Sequence, residues 1–221
     1  MNYAIVLARS KSKRIKKKNI KKFKGKPILA WTIKNIINSK KFGRILVSTD
    51  DKNIAKIAIK YGAEVPFIRP KYLSNDYVGT KEVVNHAIKY IENTNEDINI
   101  VGCFYGTSVF AKPNLIIKGF NLLTNKIKFI FLAKKTDSQS YRSFIINKKN
   151  IIIKPSKKEN RRTQDLKKKF QDLGQFYIGK YNTWKKEKTI LTKKSKAIIL
   201  KNWQATDIDE LEDWKLAEKL Y

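Results

Sequence analysis

One cysteine, one histidine and one methionine stand in 221 residues, and that scarcity removes several chemistries at once. A lone Cys103 cannot build an internal disulfide framework and fits a reducing compartment. No zinc-ligand spacing is present. His86 is the only imidazole; it lies beside the inner face of its helix with no Ser or Cys partner indicated, so it reads as structural. Glycine is sparse, with nine residues. Neither Gly-x-x-x-x-Gly-Lys-Ser/Thr nor Gly-x-Gly-x-x-Gly occurs, which excludes the P-loop and dinucleotide fingerprints. No apolar run approaches about eighteen residues, so no membrane span is expected. Arg9 interrupts the first apolar stretch too early for a signal peptide, and cytoplasm is the expected compartment.

Acidic residues are also few: 19 Asp and Glu against 49 Lys and Arg give a net charge of +30. Such a balance first suggests nucleic acid. Two features argue against it. The cations run from residue 11 to residue 219 without forming one tract, and only seven are arginine. Lysine reads base edges less well than the arginine fork does. A nucleic-acid partner is therefore not expected, although a positive surface attracts an anionic nucleotide or an acidic sugar.

What is present is an alternation of strands and helices. Tyr3–Ala8, Arg44–Thr49, Glu64–Ile68, Asp97–Tyr105 and Phe129–Ala133 read as strands. Between them, helical spacing runs through Ile28, Leu29, Trp31, Ile33, Ile36 and Ile37, through Ile54 to Ile59, from Thr80 to Ile91, and from Pro113 to about Leu123. The pattern predicts an α/β fold, a doubly wound and mostly parallel sheet. From Lys134 to about Lys169 it loosens, and Ser143–Ile146 with Asn150–Ile153 around Asn147–Lys149 suggests a β-hairpin. An apolar hairpin projecting from such a core needs a partner to cover it. Ala197–Leu200 is a last strand. Asp50 reads as a helix cap and stays outside the expected site.

The first strand delivers Arg9-Ser10-Lys11-Ser12-Lys13-Arg14-Ile15-Lys16-Lys17-Lys18-Asn19 to its carboxyl end. That is where open α/β sheets hold ligands, and the cations and hydroxyl point to an anion, a polyphosphate. Near the other terminus, Thr206-Asp207-Ile208-Asp209 allows two readings. As the start of a helix, the acids suit its first turn. If residues 207–209 are extended, Asp207 and Asp209 face the same way and can share a divalent cation.

Leu7-Ala8-Arg9-x-x-Ser12-Lys13-Arg14-Ile15-x-x-Lys18-Asn19-Ile20 resembles the opening motif of the CMP-sugar synthetases, cytidylyltransferases that activate sialic acid and related acids. The family has two glycines where Ser10-Lys11 stand and a proline where Lys16 stands. Ser48-Thr49-Asp50-Asp51 and Arg69-Pro70-x-x-Leu73-Ser74-x-Asp76 match it again. Arg161-Arg162-x-Gln164-Asp165-Leu166 followed by Gly174-Gln175-Phe176-Tyr177 is similar to the pseudaminic acid branch. Tyr105 stands where the sialic acid branch has glutamine.

The resemblance spans nearly the whole chain and implies one domain, 1–221, with a dimerisation arm at 134–170 and hence a homodimer. It implies transfer of CMP from CTP to the anomeric hydroxyl of a nine-carbon acid sugar, most nearly pseudaminic acid, with release of pyrophosphate. N-acetylneuraminic, legionaminic and ketodeoxyoctonic acids are the alternative substrates. In that scheme Arg9, Lys13 and Lys18 are catalytic and hold the triphosphate. Leu7, Ala8, Ser12, Asn19 and Arg69 complete the nucleotide site, with backbone groups of Leu7 and Ala8 reading the cytosine. Tyr105, Gln175 and Tyr177 contact the sugar, and Asp207 with Asp209 binds Mg²⁺.

Overall fold

The computed structural model describes residues 1–136, 145–146, 151–154 and 168–221. β1 (Asn2–Leu7) is followed by a small antiparallel pair, β2 (Lys22–Phe23) and β3 (Lys26–Pro27). Then α1 (Ile28–Ser39), β4 (Arg44–Ser48), α2 (Lys52–Lys60), α3 (Thr80–Glu92), β5 (Ile100–Tyr105), α4 (Pro113–Leu122) and β6 (Phe129–Lys135) follow. β7 (Ile145–Ile146) and β8 (Ile152–Lys154) come next, then β9 (Phe170–Lys180), α5 (Tyr181–Lys186), β10 (Ser195–Leu200) and α6 (Leu211–Leu220).

The main sheet has the order β10-β6-β9-β5-β1-β4. Every neighbouring pair is parallel except the two that β9 makes, antiparallel to β5 and to β6. This is the expected doubly wound, mostly parallel sheet. Its inner strands are apolar on both faces because helices cover both sides: Tyr3, Ala4, Ile5 and Val6 of β1 are all buried. Ala4, Val6 and Phe104 belong to one cluster with Ile33 of α1, whereas Ile5 and Cys103 face Val84 and Ile88 of α3. Cys103 is thus the small core hydrophobe its sequence context suggests.

Helix ends follow local chemistry. Asp51, not Asp50, caps α2, its carboxylate accepting from the N–H groups of Asn53 and Ile54 at 2.7 and 2.9 Å. Gly62, with φ +91°, ends that segment in the left-handed region. Pro113 occupies the first turn of α4, where a missing N–H costs nothing.

Glu64–Ile68 does not become a strand of the sheet. Its backbone pairs with the β4 segment through two isolated parallel bridges, Leu46 with Glu64 and Thr49, just past β4, with Ile68. Pro66 lies between them and supplies no N–H to a ladder. β7 pairs antiparallel with β8, as the hairpin reading requires. Arg161, Gln164, Asp165 and Leu166 of the second motif lie outside the described residues. Among the described residues no helix is long and apolar enough to cross a membrane.

Candidate active site

β1, β4 and β5 end side by side: Leu7 stands opposite Ser48 on one flank and Tyr105 on the other. The chain leaves each strand at the same edge of the sheet, and the basic loop after Leu7 is pinned there. Ser10 donates from its backbone N–H and its hydroxyl to the two oxygens of Asp50, both at 2.7 Å. Asp50 therefore anchors the loop at Ser10. Gly106 donates to the Leu7 carbonyl at 2.9 Å, and a side chain there would collide with Asn19 and Ala8. With that space free, the Asn19 amide closes onto the Arg9 carbonyl at 2.8 Å.

Past this edge lies a cavity of about 820 Å³. From the expected triphosphate group it is lined by Arg9, Lys13 and Lys18; Leu7, Ser12, Asn19 and Arg69 line it too. Tyr105 and Tyr177 form a wall, and Asp207 with Asp209 completes the rim. One fold edge thus gathers residues that the sequence scatters over two hundred positions.

Two expected members do not reach the cavity lining. Ala8 is fully buried and commits its N–H to the Ser48 carbonyl at 3.0 Å, so that group is not available to read a base. Gln175 is also buried. Its amide oxygen accepts from Phe110 N–H at 3.0 Å and its amide nitrogen donates to the Leu173 carbonyl at 3.1 Å. A buried amide must find partners; this one finds them in backbone, which makes Gln175 a brace for β9 and removes it from the sugar-contacting set.

The cations are not equivalent. Lys13 is exposed and pairs with Asp76 at 2.6 Å, while Arg9 meets the other oxygen of Asp76 at 2.7 Å. These two cations, Lys13 first, hold the Asp76 carboxyl below its ordinary value. Lys18 is sheltered, donating to the Ile208 carbonyl and lying 3.5 Å from Asp209. Burial lowers its pKa, against the opposing pull of Asp209 and Asp207. Arg69 is buried, with its guanidinium on the Ser48 hydroxyl at 3.0 Å and on the Ser48 carbonyl; burial holds it down at about 10. Tyr105 shares a 2.6 Å hydrogen bond with Thr80 and is pushed up to about 12 by burial.

Among the lining residues that sequence reasoning left out of the site are Arg14, Asp76, Thr80 and Asp172. Arg14 pairs with Asp209 at 2.8 Å. Asp76 stands inside a motif quoted above, and its place there was the available signal; Asp172 lies two residues before Gly174 of the second motif. His86 is outside the cavity lining; it packs edge-on against Phe67 at 4.9 Å, as a structural residue should.

α6 begins only at Leu211, with Glu210 and Asp213 forming its capping box. Residues 207–209 therefore precede the helix. Ile208 points into the core while Asp207 and Asp209 both line the cavity, which is the arrangement of the extended reading. Burial, then Asp209, raises the Asp207 carboxyl above its ordinary value, so the pair repels itself unless cations intervene. Among the described residues no group of three or more His, Cys, Asp or Glu is placed to hold a metal. Two hard carboxylates beside a phosphate-binding loop nevertheless suit a divalent cation that takes its other ligands from phosphates and water.

A family model described as cytidylyltransferase matches residues 3–221. The chain belongs to the cytidylyltransferase family. Members of the family are CTP-dependent nucleotidyltransferases, and this chain is one; such enzymes generally use a divalent metal. A pseudaminic acid cytidylyltransferase of Campylobacter jejuni is 36% identical over 222 residues, covering 100% of this chain and 96% of that one. In Helicobacter pylori, a pseudaminic acid cytidylyltransferase joined to a UDP-2,4-diacetamido-2,4,6-trideoxy-beta-L-altropyranose hydrolase is 34% identical over 217 residues. That match takes in 97% of this chain and 41% of the joined protein. Among solved structures, a CMP:2-keto-3-deoxy-manno-octonic acid synthetase complexed with CTP superposes with a TM-score of 0.71, covering 99% of this chain and 97% of that one. At 12% identity it speaks for the cytidylyltransferase fold alone.

Proposed function

We propose that this cytidylyltransferase transfers CMP from CTP to the anomeric hydroxyl of pseudaminic acid, in the cytoplasm, as a homodimer that pairs through residues 134–170. The observation that carries the reaction is the gathering of Arg9, Lys13, Arg14 and Lys18 with two carboxylates around one cavity at the carboxyl edge of the sheet. The choice of sugar rests on full-length similarity to pseudaminic acid cytidylyltransferases. Legionaminic and N-acetylneuraminic acid enzymes are similar at lower identity, 28% and 27%.

In this reaction the anomeric oxygen forms a bond to the α-phosphorus, the bond from that phosphorus to the β-phosphate bridge breaks, and the hydroxyl proton is released. Pyrophosphate leaves with the electron pair. Arg9 and Lys13 receive the outer phosphates, exchanging Asp76 for them. Lys18 and Arg14, already directed at the carboxylate pair, stand where charge develops on the leaving group. Asn19 and Arg69 hold the nucleotide from behind, and Tyr105 and Tyr177 orient the sugar. Asp207 and Asp209 would hold Mg²⁺, which would supply Lewis-acid charge to the triphosphate and the attacking hydroxyl.

The test is pyrophosphate release from CTP and Mg²⁺ with pseudaminic and N-acetylneuraminic acids in parallel. Release with pseudaminic acid alone is the expected result. Release with N-acetylneuraminic acid instead would keep the chemistry and overturn the choice of sugar.

A further inference from the structure

With Gln175 turned into the core, the wall of the cavity beyond the cations consists of other groups. Asp172 lines it, and among the described residues each carboxylate oxygen has one partner. Oδ1 accepts from the Gly174 N–H at 3.0 Å, and Oδ2 accepts from the Tyr177 hydroxyl at 2.5 Å. Gly174 has φ +55°, a turn that glycine adopts without strain, and the Asp172 contact secures it.

This geometry fixes the polarity of the wall. The Tyr177 proton is committed to Asp172, so its oxygen can only accept from a ligand. A carboxylate has about four lone-pair sites, and two of those on Asp172 remain. Burial, reinforced by Tyr105 and Asp172, raises the Tyr177 pKa far above its ordinary value, so the phenol keeps that proton. The two side chains together offer acceptors and no donor. Val78 and Val83 also line the cavity and pack in one cluster with Tyr105 and Tyr177, while the hydroxyls of Thr80 and Tyr105, both in the lining, are bonded to each other at 2.6 Å.

We propose that Asp172 is a specificity-determining residue which, with Tyr177, reads the N–H of an acylamino substituent on the acid sugar. The inference rests on the proposed function and deepens it. An acylamino group presents a donor and an apolar acyl tail side by side, which is the pairing that Asp172–Tyr177 and Val78–Val83 complement. A hydroxyl could donate to the same oxygens but would leave the valines uncovered. A carboxylate or phosphate is repelled by Asp172, so the acidic end of the sugar and the triphosphate are confined to the cationic side. One wall therefore sets both the substituent and the orientation.

Asp172→Asn is the discriminating variant. Its amide oxygen can still accept from Gly174, so the turn is retained, while its NH₂ group opposes the substrate N–H. Steady-state kinetics would be measured with CTP and two acid sugars, one diacylamino nine-carbon acid and the hydroxylated eight-carbon ketodeoxyoctonic acid. KM for the acylamino sugar should rise about tenfold or more while KM for CTP stays within about twofold. The preference for the acylamino sugar over the hydroxylated one should shrink with it. Tyr177→Phe, which removes the second acceptor, should move the same constants in the same direction. An unchanged preference in Asp172→Asn overturns the proposal, as does an equal rise in KM for CTP, which would mark Asp172 as a support for neighbouring Asp207. If the wild-type enzyme turns over no acid sugar with CTP, the proposed function fails, and this inference fails with it.

Discussion

Lys18 differs from the other cations of the site because its ammonium is already sheltered and aimed before any substrate arrives. Its stem is buried beside Ile208, and its partner Asp209 belongs to the carboxylate pair. A preorganised charge in a water-poor site stabilises a developing anion more than a surface charge does. Lys18→Ala should lower kcat/KM by about 10²-fold or more while the protein remains folded. Circular dichroism with turnover assays checks both halves, and near-normal turnover would remove this lysine from the mechanism. Asp76 leads to the opposite expectation. It neutralises Arg9 and Lys13 in the free protein, so the triphosphate has to displace it. The ion pairs are exposed, and such pairs are weak. Asp76→Asn should bind CTP about two- to tenfold more tightly by calorimetry. Weaker binding would mean instead that the carboxylate positions the two cations.

At the scale of elements, the strand ends opposite the cavity are tied by Glu96. It accepts from Tyr3 on β1 and from Arg44 on β4, and Arg44 in turn grips Glu64. The Tyr3 hydrogen bond first, then Arg44, holds the Glu96 carboxyl below its ordinary value despite the cost of desolvation. A depressed folded-state pKa contributes stability above the ordinary carboxylate range, and that stability disappears as pH falls through the folded value. Glu96→Gln should therefore lower Tm by about 2–5 °C at pH 7, and the difference from wild type should shrink as pH falls below the ordinary carboxylate range. A constant difference across that range would show that packing, not charge, carries the effect.

The elements themselves were largely legible because their signals are local. Apolar runs gave β1, β5 and β6, and helical spacing gave α1, α3 and α4 close to their observed limits. Glu64–Ile68 misled because its apolar run outweighed Pro66, which denies the ladder a donor. A place in the cavity lining was legible where a motif follows a strand, as with Arg9 and Lys18 after β1, or precedes a helix, as with Asp207 and Asp209 before α6. It was not legible where burial decides direction. Gln175 and Tyr177 sit two apart on β9, yet the amide is consumed by Phe110 and Leu173 while the phenol faces the cavity. The Arg9–Asp76 contact spans 67 positions, a separation that only the folded chain closes.

For the whole molecule, a net charge of +30 bears on rate and affinity more than on fold. Its lysines are spread over the surface, and the exposed members of the site, Lys13 above all, act on CTP as point charges. Screening shortens their reach from about 10 Å at 0.1 M salt to about 3 Å at 1 M. Lys18 and Arg69 are sheltered from that screening by burial. The two groups should separate on a salt titration: KM for CTP should rise several-fold between about 0.05 and 0.5 M salt, while kcat changes little. A flat KM would place the grip on the triphosphate in the buried contacts alone. The same titration addresses the nucleic-acid reading of the charge. A nonspecific polyanion should compete with CTP at low salt and cease to compete by about 0.2 M, since neutralised phosphates bind with a steep salt dependence. Inhibition persisting above that concentration would require a shaped nucleic-acid surface and would restore the nucleic-acid reading of the charge.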